Sequence, residues 1–329
     1  MSLLETPLSR ALGIEVPLIC GPMYPCSNHE LVAAVSAAGG IGVVQPLALS
    51  FVHGKDFREG LRRIRSMTDK PIGVNLLLET SVKAYRDRIR DWLDISLEEG
   101  VRFFVTSLGS PDEVVRKVHA VGGVVYHDVV NRRWAERAMK ANVDGIICVN
   151  ERAGGHAGAL SGQRLYDDLK DLGVPLVTAG GISTAPEYVQ ALEMGYAGVQ
   201  MGTRFIASEE CKVHADYKAA ILRAQEEDIV LTDKLSGVPV AVINTPYIER
   251  IGTKAGPFAR WMLRGRKTKH WMRGFYALTS LWQLRQAINK GNAYKDYWQA
   301  GKSAGGIDRV LPAGEIVADF AAAARAAGS

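Results

Sequence analysis

Short runs of β-branched and other apolar residues recur along the chain, and a helix-length stretch follows each. The runs are Pro17–Met23, Gly40–Pro46, Pro71–Leu78, Phe103–Gly109, Val124–Val130, Gly145–Asn150, Pro175–Gly181 and Gly198–Phe205. Between them lie Glu30–Ala38, Asp56–Met67, Val82–Glu98, Pro111–Val121, Arg132–Ala141, Gly162–Leu172 and Ala185–Met194, and Glu209–Ala224 follows the last. The runs are apolar almost without interruption, as expected of strands covered on both faces by helices. Strand and helix in alternation predict parallel βα units. Eight of them in about 210 residues match a (β/α)8 TIM barrel. A doubly wound open sheet is the rival arrangement, and the strand count favours the barrel.

After Ala224 the alternation is lost. Ile229–Val242 reads as short strand or irregular chain, and the remainder as mostly helical, with breaks at Gly252–Pro257, Gly301–Gly306 and Pro312. The expected organisation is a barrel over residues 1–224 and a smaller, mostly helical region over 225–329, packed on the barrel or acting as a lid.

Composition changes this picture little. Of 329 residues, 47% are hydrophobic and 23% charged, enough apolar mass for a buried core. There is no apolar run of membrane-spanning length and no secretory signal pattern at the N-terminus. Cys20, Cys26, Cys148 and Cys211 form neither a CxxC pair nor a disulfide framework, so a reducing cytoplasm is the expected location. The net charge of +5 is unevenly spread: residues 250–290 hold ten Lys/Arg and no Asp or Glu, leaving the rest of the chain net acidic. That is not the charge pattern of a uniformly basic nucleic-acid binder.

Candidate chemistry gathers where the strands end, the face on which barrels carry their active sites. Glycines follow the seventh and eighth strands, in Ala179-Gly180-Gly181 and Gly202-Thr203-Arg204. Such turns can present backbone N–H groups to a phosphate, with Ser183 and Thr184 placed to cap the next helix; alternatively they only make tight turns. His156 stands in Gly154-Gly155-His156-Ala157-Gly158, a loop whose glycines let backbone approach a planar ligand, and imidazole suits acid–base work near neutrality. The bland reading is a surface histidine. Asn75 ends an apolar strand and needs a polar partner. Of Tyr126, His127 and Asp128, strand alternation lets only some face inward, and a structural role for His127 is equally compatible. Cys20 reads as an inert buried thiol. Zinc-ligand spacing, a GxGxxG fingerprint, a Walker loop and a Gly-x-Ser-x-Gly elbow are all missing from the sequence.

At these same positions the chain resembles the nitronate monooxygenase family, formerly the 2-nitropropane dioxygenases, whose superfamily includes FMN-dependent enoyl-acyl-carrier-protein reductases and NADH:quinone reductases. The matching pieces are Pro17-Leu-Ile-Cys-Gly-Pro-Met23, Ala37-Ala-Gly-Gly-Ile-Gly42, Lys70-Pro-Ile-Gly-Val-Asn75, Ala153-Gly-Gly-His-Ala-Gly158, Pro175-Leu-Val-Thr-Ala-Gly-Gly-Ile182 and Gln200-Met-Gly-Thr-Arg-Phe205. They run collinearly through the barrel and thin out beyond it to Thr232–Pro239 and Trp298–Ser303.

The resemblance implies non-covalent FMN. It sets Gly21, Pro22, Met23 and Tyr24 against the isoalloxazine, with Asn75, Leu77, Asp128 and Gln200 around it and Gly155 flanking the ring. Ala179, Gly180, Gly181, Gly202 and Thr203 would hold the phosphate, and His156 matches the family's catalytic histidine. The chain departs from the family pattern at Cys20 (often Gln), Asp128 (Lys in one branch), Lys302 (frequently Gln) and the loop Tyr24-Pro25-Cys26-Ser27.

The implied activity is oxidation of a small alkyl nitronate with O2 to a carbonyl product and nitrite. The second reading is reduction of an enoyl thioester or quinone, with NAD(P)H as donor and the basic segment attracting an acidic carrier or a nucleotide phosphate. A third is an inactive barrel that binds lipid or nucleic acid through residues 250–273, weakened by the breaks at Gly252, Gly256, Pro257 and Gly265. The expectation is no nucleic acid and no membrane span, with a homo-oligomer left open.

Overall fold

The structure is a computed structural model, and it describes residues 2–53, 56–79, 83–234, 238–254 and 297–328. Eight parallel strands close into a barrel: β1 (Leu18–Cys20), β2 (Ile41–Val44), β3 (Gly73–Leu77), β4 (Phe103–Ser107), β5 (Val124–Val129), β6 (Gly145–Val149), β7 (Leu176–Ala179) and β8 (Gly198–Met201). Closure comes from β1 against β8, with Leu18 paired to Val199 and Cys20 to Met201. The open-sheet alternative is thereby excluded.

The helices α1 (Pro7–Leu12), α2 (His29–Ala37), α3 (Phe57–Arg65), α4 (Lys83–Glu98), α5 (Asp112–His119), α6 (Arg132–Met139), α7 (Gly162–Leu169) and α8 (Ala185–Glu193) precede β8. After it come α9 (Thr203–Ile206), α10 (Ala215–Arg223), α11 (Pro246–Ile251) and α12 (Ala313–Ala327). The third of them shows how sequence makes such an element. Asp56 Oδ1 accepts from the N–H of Arg58 at 2.9 Å and caps the first turn. Phe57, Gly60, Leu61 and Ile64 fall on one buried stripe, while Arg62, Arg63 and Arg65 complement the dipole at the far end.

Along each strand, alternate residues face opposite layers. Ile19, Ile41, Val43, Phe103, Val105, Tyr126, Ile147 and Val177 fill the barrel interior, whereas Val74, Leu76, Phe104, Val125 and Ile146 pack under the helices. Inward glycines make room for large neighbours. A Cβ on Gly73 would lie 2.7 Å from Phe103 and one on Gly145 2.3 Å from Tyr126. These two rings meet edge to face at 5.6 Å.

The floor of the barrel is sealed by α1, an element that the pattern of the sequence did not predict. Leu8 and Leu12 join the interior cluster, and Thr6 Oγ1 donates to the carbonyl of Ala197 at 2.6 Å. Leu8 is completely buried. Leu8→Ala should therefore lower unfolding free energy by about 2–5 kcal/mol, the range for a large-to-small change in a core. Denaturant unfolding of the two proteins checks it.

The sequence reading differs from the structure at two ends. The eighth strand stops at Met201, and Thr203–Ile206 winds into α9, because Gly202 turns the chain before Arg204 and Phe205 are reached. The following helix occupies Ala215–Arg223, shorter than expected, since residues 209–214 run as a connection. Beyond residue 224, β9 (Ile229–Thr232) and β10 (Val240–Ile243) form an antiparallel ribbon. The last helix, α12, packs against α2 and α8 and so belongs to the helical shell. Most of the basic segment 250–290 lies outside the described residues.

Candidate active site at the barrel mouth

Strand alternation carries a set of polar residues to the C-terminal mouth. Asn75 follows Gly73 on the inward side of β3, Asp128 follows Tyr126 on β5, and Gln200 follows Gly198 on β8. Each has a buried oxygen without a hydrogen-bond partner among the described residues: Asn75 Oδ1, Asp128 Oδ1 and Gln200 Oε1. Buried polar atoms are normally paired, so three such orphans at inward positions of the strands make the barrel mouth a candidate place for a polar ligand. Leu77, half-buried, ends β3 on the same side. His127 has the opposite parity. Its Nδ1 lies 2.8 Å from Thr106 Oγ1 beneath the helices, and burial drives its pKa down to about 4. It is a neutral structural residue and not part of the mouth.

Burial also raises the Asp128 carboxyl, to about 7. The residue keeps some solvent exposure at the rim, but Oδ1 is fully shielded. A folded-state pKa above the unfolded value means that the native protein binds the extra proton between the two. Stability therefore falls as pH rises from about 4 towards 7. Asp128→Asn should remove this loss, so its gain in Tm over the parent should grow from pH 4 to pH 7 and then level off. Thermal melts across that range test it.

Around these residues stand the others singled out in the sequence. Gly21 donates its N–H to Met201 O at 2.9 Å and leaves space for Gln200: a Cβ there would lie 2.9 Å from Gln200 Cγ. Pro22, Met23 and Tyr24 continue from β1, half-buried. The Met23 N–H is held by Ser27 Oγ at 2.9 Å, and Met23 Sδ lies 3.4 Å from where a Cβ on Gly202 would be. Tyr24 packs against both the helical shell and the ribbon cluster of Val240, Val242, Ile248 and Tyr297.

The turns after β7 and β8 complete one side. Ala179 is buried, and Gly180 and Gly181 adopt φ of 117° and 79°. Ser183 and Thr184 lie at the start of α8 as expected, but their N–H groups are already taken by Glu187 Oε2 at 2.9 and 3.0 Å. Thr203 is buried, and its Oγ1 accepts from the N–H of Gly301 at 3.0 Å.

The His156 loop follows β6 and stands next to the β7 turn. Gly158 and Ala153 donate to the Asn150 carbonyl, and Asn150 Nδ2 reaches Gly180 O at 2.9 Å, tying this loop to the β7 turn. The Gly155 carbonyl accepts from Ala241 at 2.8 Å, so the ribbon stands beside the loop. His156 is exposed, yet protein crowds it closely enough that desolvation lowers its pKa below the ordinary imidazole value.

Sequence reasoning missed Asn150, Arg152 and Glu187, and the return of Gln299–Lys302 against the loop. The signals for them were weak: isolated polar residues whose partners lie far along the chain. Two hollows of about 340 and 520 Å3 lie elsewhere, beside Arg65–Lys70 and between α10, β10 and α11, and contain none of these residues. Among the described residues no cluster of His, Cys, Asp and Glu could hold a metal, and no helix is long and apolar enough to cross a membrane.

The arrangement has counterparts. The nitronate monooxygenase family model matches residues 5–322. A curated (3aS,4S,5R,7aS)-5-hydroxy-7a-methyl-1-oxo-octahydro-1H-indene-4-carboxyl-CoA dehydrogenase of Rhodococcus jostii is 28% identical over 252 residues, covering 76% of this chain and 69% of the relative. A nitronate monooxygenase of Pseudomonas aeruginosa is 29% identical over 272 residues, covering 70% and 77%. The solved structure of FabK from Thermotoga maritima superposes with a TM-score of 0.82 at 29% identity, over 98% of this chain and 97% of that one. With a match over nearly its whole length, the chain belongs to the nitronate monooxygenase family and is an oxidoreductase.

Proposed function

We propose that the protein is an FMN-dependent oxidoreductase that oxidises alkyl nitronates with O2 to a carbonyl product and nitrite. The observation that carries the cofactor assignment is the trio of buried oxygens on Asn75, Asp128 and Gln200 that lack a partner among the described residues, all at inward positions of barrel strands, together with the glycine turns after β7 and β8. A heteroaromatic ring with donor and acceptor edges satisfies the first, and a phosphate satisfies the turns. Gly21, Pro22, Met23, Tyr24, Leu77 and Gly155 would border the ring, and Ala179, Gly180, Gly181, Gly202 and Thr203 the phosphate. When bound, the flavin supplies the electron chemistry.

The chain's own contribution is proton handling and placement. His156, its pKa lowered by desolvation, would donate an N–H hydrogen bond to a nitronate oxygen, or take the proton from the carbon beside the nitro group when the substrate arrives as a neutral nitroalkane. The exposed imidazole and the glycines beside it leave room for that substrate. Four buried free thiols fit a reducing compartment, so a cytoplasmic location belongs to this reading, as does the division into a barrel at 1–224 and a packed region at 225–329.

A second reading is favoured by one observation, the CoA dehydrogenase among the relatives. A thioester carbonyl acidifies its neighbouring C–H as a nitro group does, so the same histidine would serve an acyl thioester, with NAD(P)H as donor if the direction is reductive. The deciding experiment is the visible spectrum of the purified protein, with the released cofactor identified, followed by nitrite assay on propyl nitronate and anaerobic NAD(P)H bleaching. Yellow protein releasing FMN and forming nitrite supports the leading reading. Bleaching by NAD(P)H without nitrite formation replaces it with the second, and a colourless protein that takes up no FMN overturns both.

A further inference from the structure

Arg152 lies in the loop between β6 and α7, four residues before His156. Its side chain rests against the turn after β7: a Cβ on Gly181 would lie 2.4 Å from Arg152 Nε and 2.8 Å from its Cδ. Backbone contacts fix it there. The Arg152 N–H donates to Asn150 Oδ1 at 2.8 Å, while Asn150 Nδ2 holds the Gly180 carbonyl at 2.9 Å. The Arg152 carbonyl accepts from the N–H of Lys302 at 2.9 Å. Glu226 grips the outer edge of the guanidinium, Nη1 to Oε2 at 2.9 Å with a second contact from Nη2 to Oε1. Nε, the nitrogen nearest Gly181, stands outside that pairing.

The charge around the turn gives this position a purpose. The N–H groups of Ser183 and Thr184, just before α8, are occupied by the Glu187 carboxylate, which adds a negative charge beside the place where a helix terminus would otherwise attract an anion. A phosphate arriving at Gly180–Gly181 would have glycine N–H groups and two neighbouring carboxylates, Glu187 and Glu226. A cation must offset them. The Arg152–Glu226 pair is 34% and 42% exposed, so solvent already competes for it and an anion can share the guanidinium without a large rearrangement. Arginine retains donors after one carboxylate is bound, having five in all.

Resting on the FMN reading, we propose that Arg152 is the phosphate-recognising cation of this site, held in position by Glu226, and that it makes the protein prefer FMN to riboflavin. The test is fluorescence titration of flavin-stripped protein with each flavin in turn. The parent should bind FMN far more tightly than riboflavin. Arg152→Ala should raise the Kd for FMN about 10- to 100-fold, the worth of a charge-assisted hydrogen bond, and shift that for riboflavin less than about threefold. Arg152→Lys should recover part of the preference. Glu226→Gln removes the negative charge but keeps an oxygen that can accept from the guanidinium, so Arg152 stays placed and most of the preference should remain. The proposal is overturned if Arg152→Ala weakens both flavins alike or leaves their ratio unchanged, or if Glu226→Gln abolishes the preference equally. A parent protein that binds neither flavin overturns the FMN reading and this inference together.

Discussion

His156→Ala should give a folded protein that still takes up flavin but turns substrate over at least about 10²-fold more slowly, within the 10²- to 10⁴-fold range of a general acid–base group. The loop has backbone holds of its own. Its backbone is held by Ala157 to Gly155, Gly158 to Asn150 and Ala241 to Gly155, and none of these bonds involves the side chain. Gly158 is itself fixed by crowding, since a Cβ there would lie 2.3 Å from the Val149 carbonyl. With a neutral nitroalkane as substrate, the parent should also show kcat/KM rising with pH and levelling off below the ordinary imidazole range, because desolvation favours the neutral ring. The variant should lose that limb. Normal turnover in the variant would remove His156 from the mechanism.

Gly180→Ala should combine two costs, a strained backbone and a displaced loop. The φ of 117° is strained for alanine, and the new Cβ would sit 2.4 Å from Asn150 Oδ1 and 2.5 Å from Ala153 N. Ala153 cannot retreat, because the next residue, Gly154, is in backbone contact with Gly301. We expect a loss of about 2–4 kcal/mol, combining backbone strain with displacement of a packed loop, together with loss of flavin uptake. Gly122→Ala is the control. Its φ is also positive, at 71°, but nothing lies within 4 Å of the added carbon, so it should cost only about 1 kcal/mol. Denaturant unfolding and flavin content distinguish the two. Equal costs would show that φ alone matters and that the approach of the loop to the turn does not.

The barrel was legible because its strands are buried on both faces, which writes each as an unbroken apolar run. The same logic failed at Arg204 and Phe205, whose apolar context continues the run although Gly202 has already turned the chain. The six-residue helix α1 is too short to show a period. At the mouth, parity along a strand sufficed to separate Asp128 from His127 once the inward set was known. Arg152 gave no such signal. A charged residue in a loop reads as solvated, and its partner Glu226 lies 74 residues further along.

The plug formed by α1 has a consequence for the order in which the molecule can assemble. Thr6 bonds to Ala197, and Leu8 fills space left by Gly198, so α1 has no seat until nearly two hundred residues have followed it. Strand β1 likewise waits for β8, and α2 waits for α12 at the far end of the chain. Contacts of such long sequence separation are slow to form. The nascent chain must therefore carry its N-terminal apolar segments uncovered through most of translation, which makes the early barrel half the stage at which aggregation competes with folding.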